Sequence, residues 1–114
     1  MIELSDPEDT KLLTLARSTR ARTGAIEGAC VRDTDGRTYA AATVALDSLN
    51  LSAVQVAVAM AVSSGARGLE AVAVLGEATA ARVDDLAAVR DLAGTGVTFL
   101  VATPDASVIE SVTT

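Results

Sequence analysis

The fold of this chain is decided by residues 50–65, which read Asn50-Leu-Ser-Ala-Val-Gln-Val-Ala-Val-Ala-Met-Ala-Val-Ser-Ser-Gly65. Asn50 or Ser52 can cap the start of a helix, because a short side-chain oxygen accepts one of the free backbone N–H groups of the first turn. Gly65 can supply the left-handed residue that ends the helix. Apart from Gln55, the helical positions before the final serines hold only Ala, Val and Met, so the helix has no polar face. The run predicts a central helix that is surrounded by protein.

Two further helices are predicted, one before and one after the central helix. Ser5 and Glu8 have the spacing of a capping box around Pro7, which suits a first-turn position, and this helix should run to about Arg20. The third helix is expected over Val83–Ala93, with acidic residues in its first turn and a glycine just beyond its end.

Five strand-like runs accompany these helices. The first two are joined by the turn Arg32-Asp-Thr-Asp-Gly-Arg37, whose Asp-Gly pair favours the positive φ values of a hairpin. Asp33 and Asp35 are interpreted as turn formers, because the further oxygen ligands of a calcium loop do not follow them. The next two runs are continuously apolar, which is typical of strands covered on both faces. The expected strands are 26–31, 38–44, 70–75, 97–102 and a short edge strand at 107–112.

The element order α-β-β-α-β-α-β-β predicts an α/β fold. Helices on both faces of a mixed sheet of four to five strands would make a three-layer α-β-α arrangement. Strand, helix and strand follow one another through short links in the second half, which is typical of a parallel crossover. A chain of 114 residues is long enough for one compact domain, so residues 1–114 are expected to form a single domain.

The charge balance argues against nucleic acid and membrane partners. Fifteen acidic residues and nine basic ones give a net charge of −6 at pH 7. The resulting field repels phosphate backbones and anionic lipid headgroups. No apolar run reaches the roughly 18 residues of a membrane span, and the N-terminus is acidic rather than a basic signal sequence. We therefore expect a cytoplasmic protein that binds neither nucleic acid nor membrane.

The chain contains no histidine, and Cys30 is its only cysteine. Without histidine it lacks the commonest general base near neutral pH and the commonest metal ligand. A single cysteine excludes an intrachain disulfide and a cysteine cluster around a metal. The composition thus predicts no metal site and no cofactor.

Four stretches of the sequence resemble one enzyme family. The first hairpin reads Gly28-Ala-Cys-Val-Arg-Asp-Thr-Asp-Gly-Arg-Thr-Tyr39, and the end of the central helix reads Ala57-Val-Ala-Met-Ala-Val-Ser-Ser-Gly65. Leu69-Glu-Ala-Val-Ala-Val74 follows, and Phe99-Leu-Val-Ala-Thr-Pro-Asp105 leads into the last turn. With their spacing kept, these stretches are similar to cytidine deaminases of the small pyrimidine-nucleoside type. The resemblance extends from about Lys11 to the C-terminus and implies the same fold.

The resemblance also implies where the catalytic groups of such an enzyme would lie. In that family a Cys or His, with a Glu two residues later, begins the central helix, and a Pro-Cys-x-x-Cys motif opens the next helix. The three ligands hold zinc, which makes hydroxide from water, while the Glu moves protons. The matching positions here are Ser52 and Val54 on the central helix, and Arg82 and Asp85 at the start of the third helix.

The residues at these motif positions do not suit that chemistry. Zinc is bound by deprotonated soft or borderline ligands, whereas Arg82 brings a fixed positive charge and Val54 cannot carry a proton. By the same resemblance, the nucleoside contacts of the family fall at Ala25, Thr43 and Ala45, where an aromatic, an Asn and a Glu are replaced. We therefore expect a degenerate site with no catalytic residue and no metal.

The leading hypothesis is a non-catalytic deaminase-like protein with a structural or binding role. The resemblance implies a homo-oligomer, either a dimer or a tetramer. The alternative is a binding module for a small anionic ligand or a partner peptide, with Arg82 at a helix N-terminus as the anion contact. Arg82 could instead pair with Asp84, Asp85 or Glu77, which would remove that contact.

An active cytidine deaminase or another hydrolase is the least favoured hypothesis. Ser52 has no visible base to activate it and is interpreted as a helix cap. Cys30 lies in a strand and is interpreted as a small buried hydrophobic residue. Asp84 and Asp85 are adjacent on a helix and point in different directions, so they suit the helix dipole better than acid-base catalysis.

Overall fold

The structure is a computed structural model that describes residues 2–114. The helices and strands follow one another in an order that agrees with the predicted one, apart from two additional short strands before the second helix. The elements are α1 Pro7–Thr23, β1 Gly28–Asp33, β2 Thr38–Ala42, β3 Val44–Leu46, β4 Leu49–Leu51, α2 Ala53–Ser63, β5 Leu69–Leu75, α3 Val83–Ala93, β6 Thr98–Ala102 and β7 Val108–Thr113.

Five of the strands form one mixed sheet in the order β2-β1-β5-β6-β7. β5 and β6 run parallel, as expected for strands joined through a helix, and every other neighbouring pair in this sheet is antiparallel. β7 lies at the edge, where the sequence predicts it. The predicted α/β fold with a mixed sheet of four to five strands is confirmed.

The sheet is covered on both faces because successive residues of its central strands point to opposite sides. In β5, Val72 and Val74 belong to a cluster with the buried residues of α2 and α3. Their neighbours Ala71, Ala73 and Leu75 belong to a second cluster with the buried residues of α1. The arrangement is therefore α1 on one face, the sheet in the middle, and α2 with α3 on the other face.

The first helix begins and ends differently from the prediction. Asp6, not Ser5, is the cap, and its Oδ1 accepts a hydrogen bond from the backbone N–H of Glu8 at 2.9 Å. Pro7 occupies the first helical position, which leaves the preceding residue to act as the cap. The helix continues beyond Arg20 to Thr23 and ends at a glycine in the left-handed conformation. None of the helices in residues 2–114 is long and apolar enough to cross a membrane.

Gly28 lets α1 approach the first strand closely. A Cβ atom at this position would lie 2.1 Å from the backbone oxygen of Ala16 and 2.9 Å from Cβ of Arg20. Any larger residue would therefore push the helix away from the sheet. Glycine at position 28 is therefore required by the packing of α1 against β1.

The second hairpin, β3 and β4, was not predicted. The sequence suggested one strand over 38–44, but β2 ends at Ala42, and Thr43 turns away to accept and donate hydrogen bonds with the backbone of Glu27. The following residues form a separate two-stranded sheet. Asn50 lies in β4 and is not a helix cap; its Nδ2 donates to the carbonyl oxygen of Leu46.

The central helix α2 is capped by Ser52, which is one of the two cap residues that the sequence predicted. Ser52 and Gln55 form a capping box, in which each side chain binds the backbone N–H of the other residue. One face of the helix is buried against the sheet, including Val54 and Ala57. The other face is not covered within one chain, and Met60 and Val62 are exposed there. The expectation of a helix surrounded by protein therefore holds for only half of its circumference in the single chain.

Candidate functional site

The N-terminal ends of α2 and α3 meet at one side of the sheet, and they carry all four motif positions. Ser52 is the cap of α2 and Val54 lies in its first turn. Arg82 is the cap residue of α3 and Asp85 is the third residue of that helix. Ser52 and Asp85 are in direct contact, because Oγ of Ser52 donates to Oδ1 of Asp85 at 2.5 Å.

The hydroxyl of Ser52 both donates and accepts a hydrogen bond within the protein. Its proton is donated to Asp85, and its oxygen accepts the backbone N–H of Gln55 at 3.1 Å. The Gln55 side chain returns the bond, since its Oε1 accepts the backbone N–H of Ser52 at 2.9 Å. Ser52 therefore acts as a cap and as a link between two helices, which agrees with its interpretation as a cap.

Asp85 is a carboxylate with only 2% of its surface exposed. It lies in the first turn of α3, where the positive end of the helix dipole favours a negative charge. Its neighbour Asp84 is exposed, so the two carboxylates do not form a pair. The predicted role at the helix N-terminus fits both residues, and Asp85 has the hydrogen bond to Ser52 in addition.

Val54 is fully buried in the apolar cluster between α2 and the sheet. An aliphatic side chain has no group that can accept or donate a proton. The position two residues after the first motif residue therefore contributes packing in this chain.

Arg82 is paired with a residue that sequence reasoning did not single out. Its Nη1 lies 2.6 Å from Oε1 of Glu27, whose side chain is 4% exposed, whereas the Arg82 side chain is 49% exposed. The predicted partners of Arg82 were Asp84, Asp85 and Glu77, and that prediction is wrong. A buried carboxylate gains more from an ion pair than an exposed one, because it has lost its contact with water.

Glu27 is held in place from two other directions. Its backbone N–H donates to Oγ1 of Thr43 at 3.1 Å. Gly76 leaves room for its stem, since a Cβ atom there would lie 2.9 Å from Cγ of Glu27. A signal for this residue was present in the sequence: Glu27 is the one acidic residue in the apolar strand predicted over 26–31. An acid within such a run requires a partner, and its partner lies 55 residues away.

Of the three positions implied as nucleoside contacts, only Thr43 has a hydrogen-bonding side chain. Thr43 is occupied by its hydrogen bonds to the backbone of Glu27. Ala45 is exposed on β3, and Ala25 lies in the loop after α1. Neither alanine offers a hydrogen-bonding side chain for a ribose or a base.

The groups that converge at the helix ends do not fit zinc. A guanidinium group has no free electron pair to donate, and Arg82 lies beside its own counter-ion. The remaining oxygen donors are a serine hydroxyl and a single carboxylate that are hydrogen-bonded to each other. Across residues 2–114, no three His, Cys, Asp or Glu side chains are grouped as metal ligands would be. The site is a set of internal polar contacts.

Cys30 lies on the other side of the sheet, in the cluster that packs against α1. Its thiol is fully buried, and burial raises its pKa to about 11. The thiol therefore stays protonated at neutral pH and is a poor nucleophile. Its interpretation as a small buried hydrophobic residue is confirmed.

The turn between β1 and β2 contains a polar network centred on Asp33. Asp33 accepts hydrogen bonds from the backbone N–H groups of Asp35 and Arg37, from Nε of Arg37 and from the hydroxyl of Tyr39, at 2.9–3.1 Å. Burial alone would raise the pKa of Asp33, but the hydrogen bonds and the charge of Arg37 outweigh it and lower that pKa below its ordinary value. Asp33 is the turn former that the sequence predicted.

A sequence model of the family described as cytidine deaminase-like matches residues 5–106. The chain belongs to this family. No curated protein sequence matches it.

Solved structures of cytidine deaminases share its fold. The enzyme from Burkholderia pseudomallei superimposes with a TM-score of 0.80 at 20% identity, covering 91% of each chain. The enzyme from Mycobacterium leprae gives a TM-score of 0.74 at 19% identity and covers 95% of this chain and 94% of that one. The enzyme from Mycobacterium tuberculosis gives a TM-score of 0.71 at 23% identity and covers 82% of this chain and 85% of that one. At these identities the likeness concerns the fold.

Proposed function

We propose that this protein is a non-catalytic member of the cytidine deaminase-like family, with a structural or binding role in the cytoplasm. The observation that carries the proposal is the hydrogen bond between Ser52 and Asp85 at the helix ends. In the resembled enzymes the corresponding positions are metal ligands, whereas here the two side chains satisfy each other. The contact joins the start of α2 to the start of α3.

Deamination of a pyrimidine by this family requires two groups that the residues at the motif positions are not suited to supply. One is a metal-bound water that attacks the base, and the other is a carboxylate that carries protons between that water and the leaving amine. Val54 cannot act as the proton carrier. Glu27 is a further buried acid, and its charge is neutralised by Arg82.

The proposal includes self-association, as a dimer or a tetramer. Its support is the outer face of α2, which remains uncovered within one chain although it is composed of Ala, Val, Met and Ser. A helix without charged residues is rarely left facing water. Nucleic acid and membrane partners are not proposed, because the chain has a net charge of −6.

The alternative function is a binding module for a small anionic ligand or a partner peptide at Arg82. In its favour, about half of the Arg82 side chain is exposed at the start of α3. Against it, Glu27 already supplies the counter-charge at 2.6 Å. Phosphate binding that strengthens in the variant Glu27→Gln and disappears in Arg82→Ala would support this alternative.

The test of the non-catalytic proposal is metal analysis together with a deamination assay. We expect the protein, purified in the presence of zinc, to hold no stoichiometric metal and to release no ammonia from cytidine or deoxycytidine. Stoichiometric zinc combined with chelator-sensitive ammonia release would overturn the proposal.

A matched variant makes a negative result informative. The substitutions Ser52→Cys, Arg82→Cys and Asp85→Cys introduce three thiols at the implied ligand positions. The same variant also carries Glu27→Gln, because replacing Arg82 would otherwise leave the buried Glu27 carboxylate without its counter-charge. We expect this variant to bind one zinc per chain, because its donors are soft ligands at the ends of two adjacent helices. Failure of a folded variant to bind zinc would contradict the assignment of these positions.

A further inference from the structure

The basic residues of this acidic chain are concentrated on α1. Residues 10–26 contain Lys11, Arg17, Arg20 and Arg22 and no acidic residue, so this segment has a net charge of +4. All fifteen acidic residues and only five basic ones lie outside it, which gives the rest of the chain a net charge of −10. A strongly cationic segment therefore interrupts an otherwise acidic protein.

The outer face of α1 presents these charges to solvent. The buried positions of the helix face the sheet, whereas Lys11, Arg17 and Arg22 are exposed on the opposite side and Arg20 is partly exposed. With a rise of 1.5 Å per residue, Lys11 and Arg22 are about 17 Å apart along the helix axis. The exposed positions between them carry small or hydroxyl-bearing side chains, at Thr14, Ser18 and Ala21.

The four cations are not neutralised within the described residues 2–114. The ion pairs of that part of the chain use Arg32, Arg37 and Arg82 instead. The helix dipole favours Arg20 and Arg22 in the last turn, but it does not account for Lys11 or Arg17. Arg17 and Arg20 are like charges three residues apart, which destabilises a helix slightly. An anionic partner would remove this repulsion.

An exposed apolar side chain lies beside the arginines. Ile26 is 66% exposed, and its carbonyl oxygen accepts a hydrogen bond from Nε of Arg20 at 3.0 Å. Exposed ion pairs alone add little affinity, so an interface also needs apolar contact, and Ile26 can supply it. We call the surface formed by these residues the α1 basic face. It consists of Lys11, Arg17, Arg20, Arg22 and Ile26.

We propose that the α1 basic face binds an acidic segment of another protein, with Ile26 in contact with an apolar residue at one end of that segment. The charges of the two surfaces are complementary, which favours encounter and fixes orientation. A length of about 17 Å corresponds to about five residues of extended chain. The inference goes beyond the proposed function, because it names the chemistry of a partner at a surface outside the candidate site.

The surroundings of the α1 basic face favour a short acidic segment over nucleic acid or lipid. A duplex of DNA extends far beyond 17 Å and would bring phosphates against a surface whose net charge is −10. A helix that lies on a membrane inserts a row of large apolar side chains, whereas the large apolar residues of α1 face the sheet. A short peptide can stay within the cationic area.

The first experiment measures binding of a fluorescein-labelled peptide of six glutamates and two leucines by fluorescence anisotropy at low salt. Wild type is compared with the double variant Arg17→Glu and Arg22→Glu, and with the control Arg67→Glu and Arg90→Glu. Both pairs change the net charge equally, but Arg67 and Arg90 are exposed outside α1. We expect binding to weaken at least about tenfold in the first variant and to stay within about twofold of wild type in the control.

A milder variant keeps the test valid if charge reversal disturbs α1. The substitutions Arg17→Gln and Arg22→Gln remove the charges without introducing repulsion, and circular dichroism verifies the fold. We expect this variant to bind the peptide about threefold more weakly than wild type does, as for loss of exposed ion pairs. A peptide with glutamines in place of the glutamates should bind wild type at least about tenfold more weakly than the acidic peptide does.

The second experiment tests the apolar contact. Ile26→Ser should weaken peptide binding about fivefold, because it removes a partly buried aliphatic side chain from the complex. The matched control is Val62→Ser, at an exposed position of α2 on the other face of the sheet, and it should leave the affinity unchanged.

Three outcomes would overturn the inference. The first is no binding of the acidic peptide by wild type, and the second is equal weakening by the two double variants. The third is tighter binding of a short DNA duplex, or of vesicles with equal parts phosphatidylcholine and phosphatidylserine, than of the peptide. The measurements involve neither zinc nor deamination, so a failure here is distinguishable from a failure of the proposed non-catalytic role.

Discussion

Asp33 and Asp85 are both almost completely buried carboxylates, yet they are satisfied in different ways. Asp33 receives four hydrogen bonds from groups within six residues of it, all in or next to one turn. Asp85 has its side-chain hydrogen bond with Ser52, 33 residues earlier in the chain. The first network is local and closes the hairpin that is one of the four stretches resembling the deaminases. The second is long-range and joins the starts of α2 and α3. The two networks therefore support different parts of the fold.

The largest expected effect is that of Asp33→Ala. The substitution leaves two backbone N–H groups and the hydroxyl of Tyr39 without their acceptor, so we expect a loss of about 3–5 kcal/mol in the free energy of unfolding. Asp33→Asn, which keeps one acceptor oxygen, should lose less. Urea denaturation measures both. A loss for Asp33→Ala smaller than that for Ser52→Ala would reverse the proposed ranking of the two networks.

The ion pair of Glu27 and Arg82 should respond asymmetrically to substitution. Arg82→Ala leaves a buried carboxylate without a counter-charge and should cost about 2 kcal/mol of stability. Glu27→Gln leaves an arginine that can turn into water, and its cost should stay below about 1 kcal/mol. Thermal and urea unfolding of the two variants would show this difference. Equal losses of stability in the two variants would mean that the Glu27 carboxylate is better solvated than its 4% exposure indicates.

Ser52→Ala should cost about 1–2 kcal/mol, because it removes the cap of α2 and the hydrogen-bond partner of Asp85. A double-mutant cycle with Asp85→Ala separates these two contributions. We expect a coupling energy on the order of 1 kcal/mol between the two positions, as for side chains in direct contact. Strictly additive effects would show that the hydrogen bond between Ser52 and Asp85 does not stabilise the contact of the two helices.

The smallest effect concerns pH. The pKa of Asp33 is lower in the folded protein than its ordinary value. The ionised carboxylate therefore contributes stability above about pH 4, the value expected for an unfolded aspartate, and this contribution is lost as the pH falls toward the lower folded pKa. The difference in unfolding free energy between the wild type and Asp33→Asn should narrow over this range. A difference that is unchanged down to pH 3 would contradict the ion-pair and hydrogen-bond account of Asp33.

Most of the fold could be predicted because its signals are local. The turn around Asp33, the cap at Ser52 and the limits of α3 each depend on residues close in sequence. Two features escaped prediction because they depend on distant residues. Glu27 pairs with Arg82, 55 residues later in the chain, and Thr43, next to the β3–β4 hairpin, bonds to the backbone of Glu27.

The sequence suggested a position for the candidate site but not the contacts within it. Resemblance to the deaminases directed attention to Ser52, Val54, Arg82 and Asp85, and the structure brings these positions to the adjoining ends of two helices. The sequence could not reveal that Ser52 binds Asp85, since hydroxyl and carboxylate groups at helix starts usually cap their own helix. Likewise, the apolar composition of α2 predicted complete burial, whereas the fold of one chain covers only one of its faces.

The central claim is that the chemistry of the deaminases is absent from this member of their fold family, and a single assay tests it most directly. Purified protein is supplied with zinc and cytidine, and ammonia release is followed with and without a chelator. The account predicts no release above that of the buffer in either case. Zinc-dependent release that the chelator abolishes would contradict it.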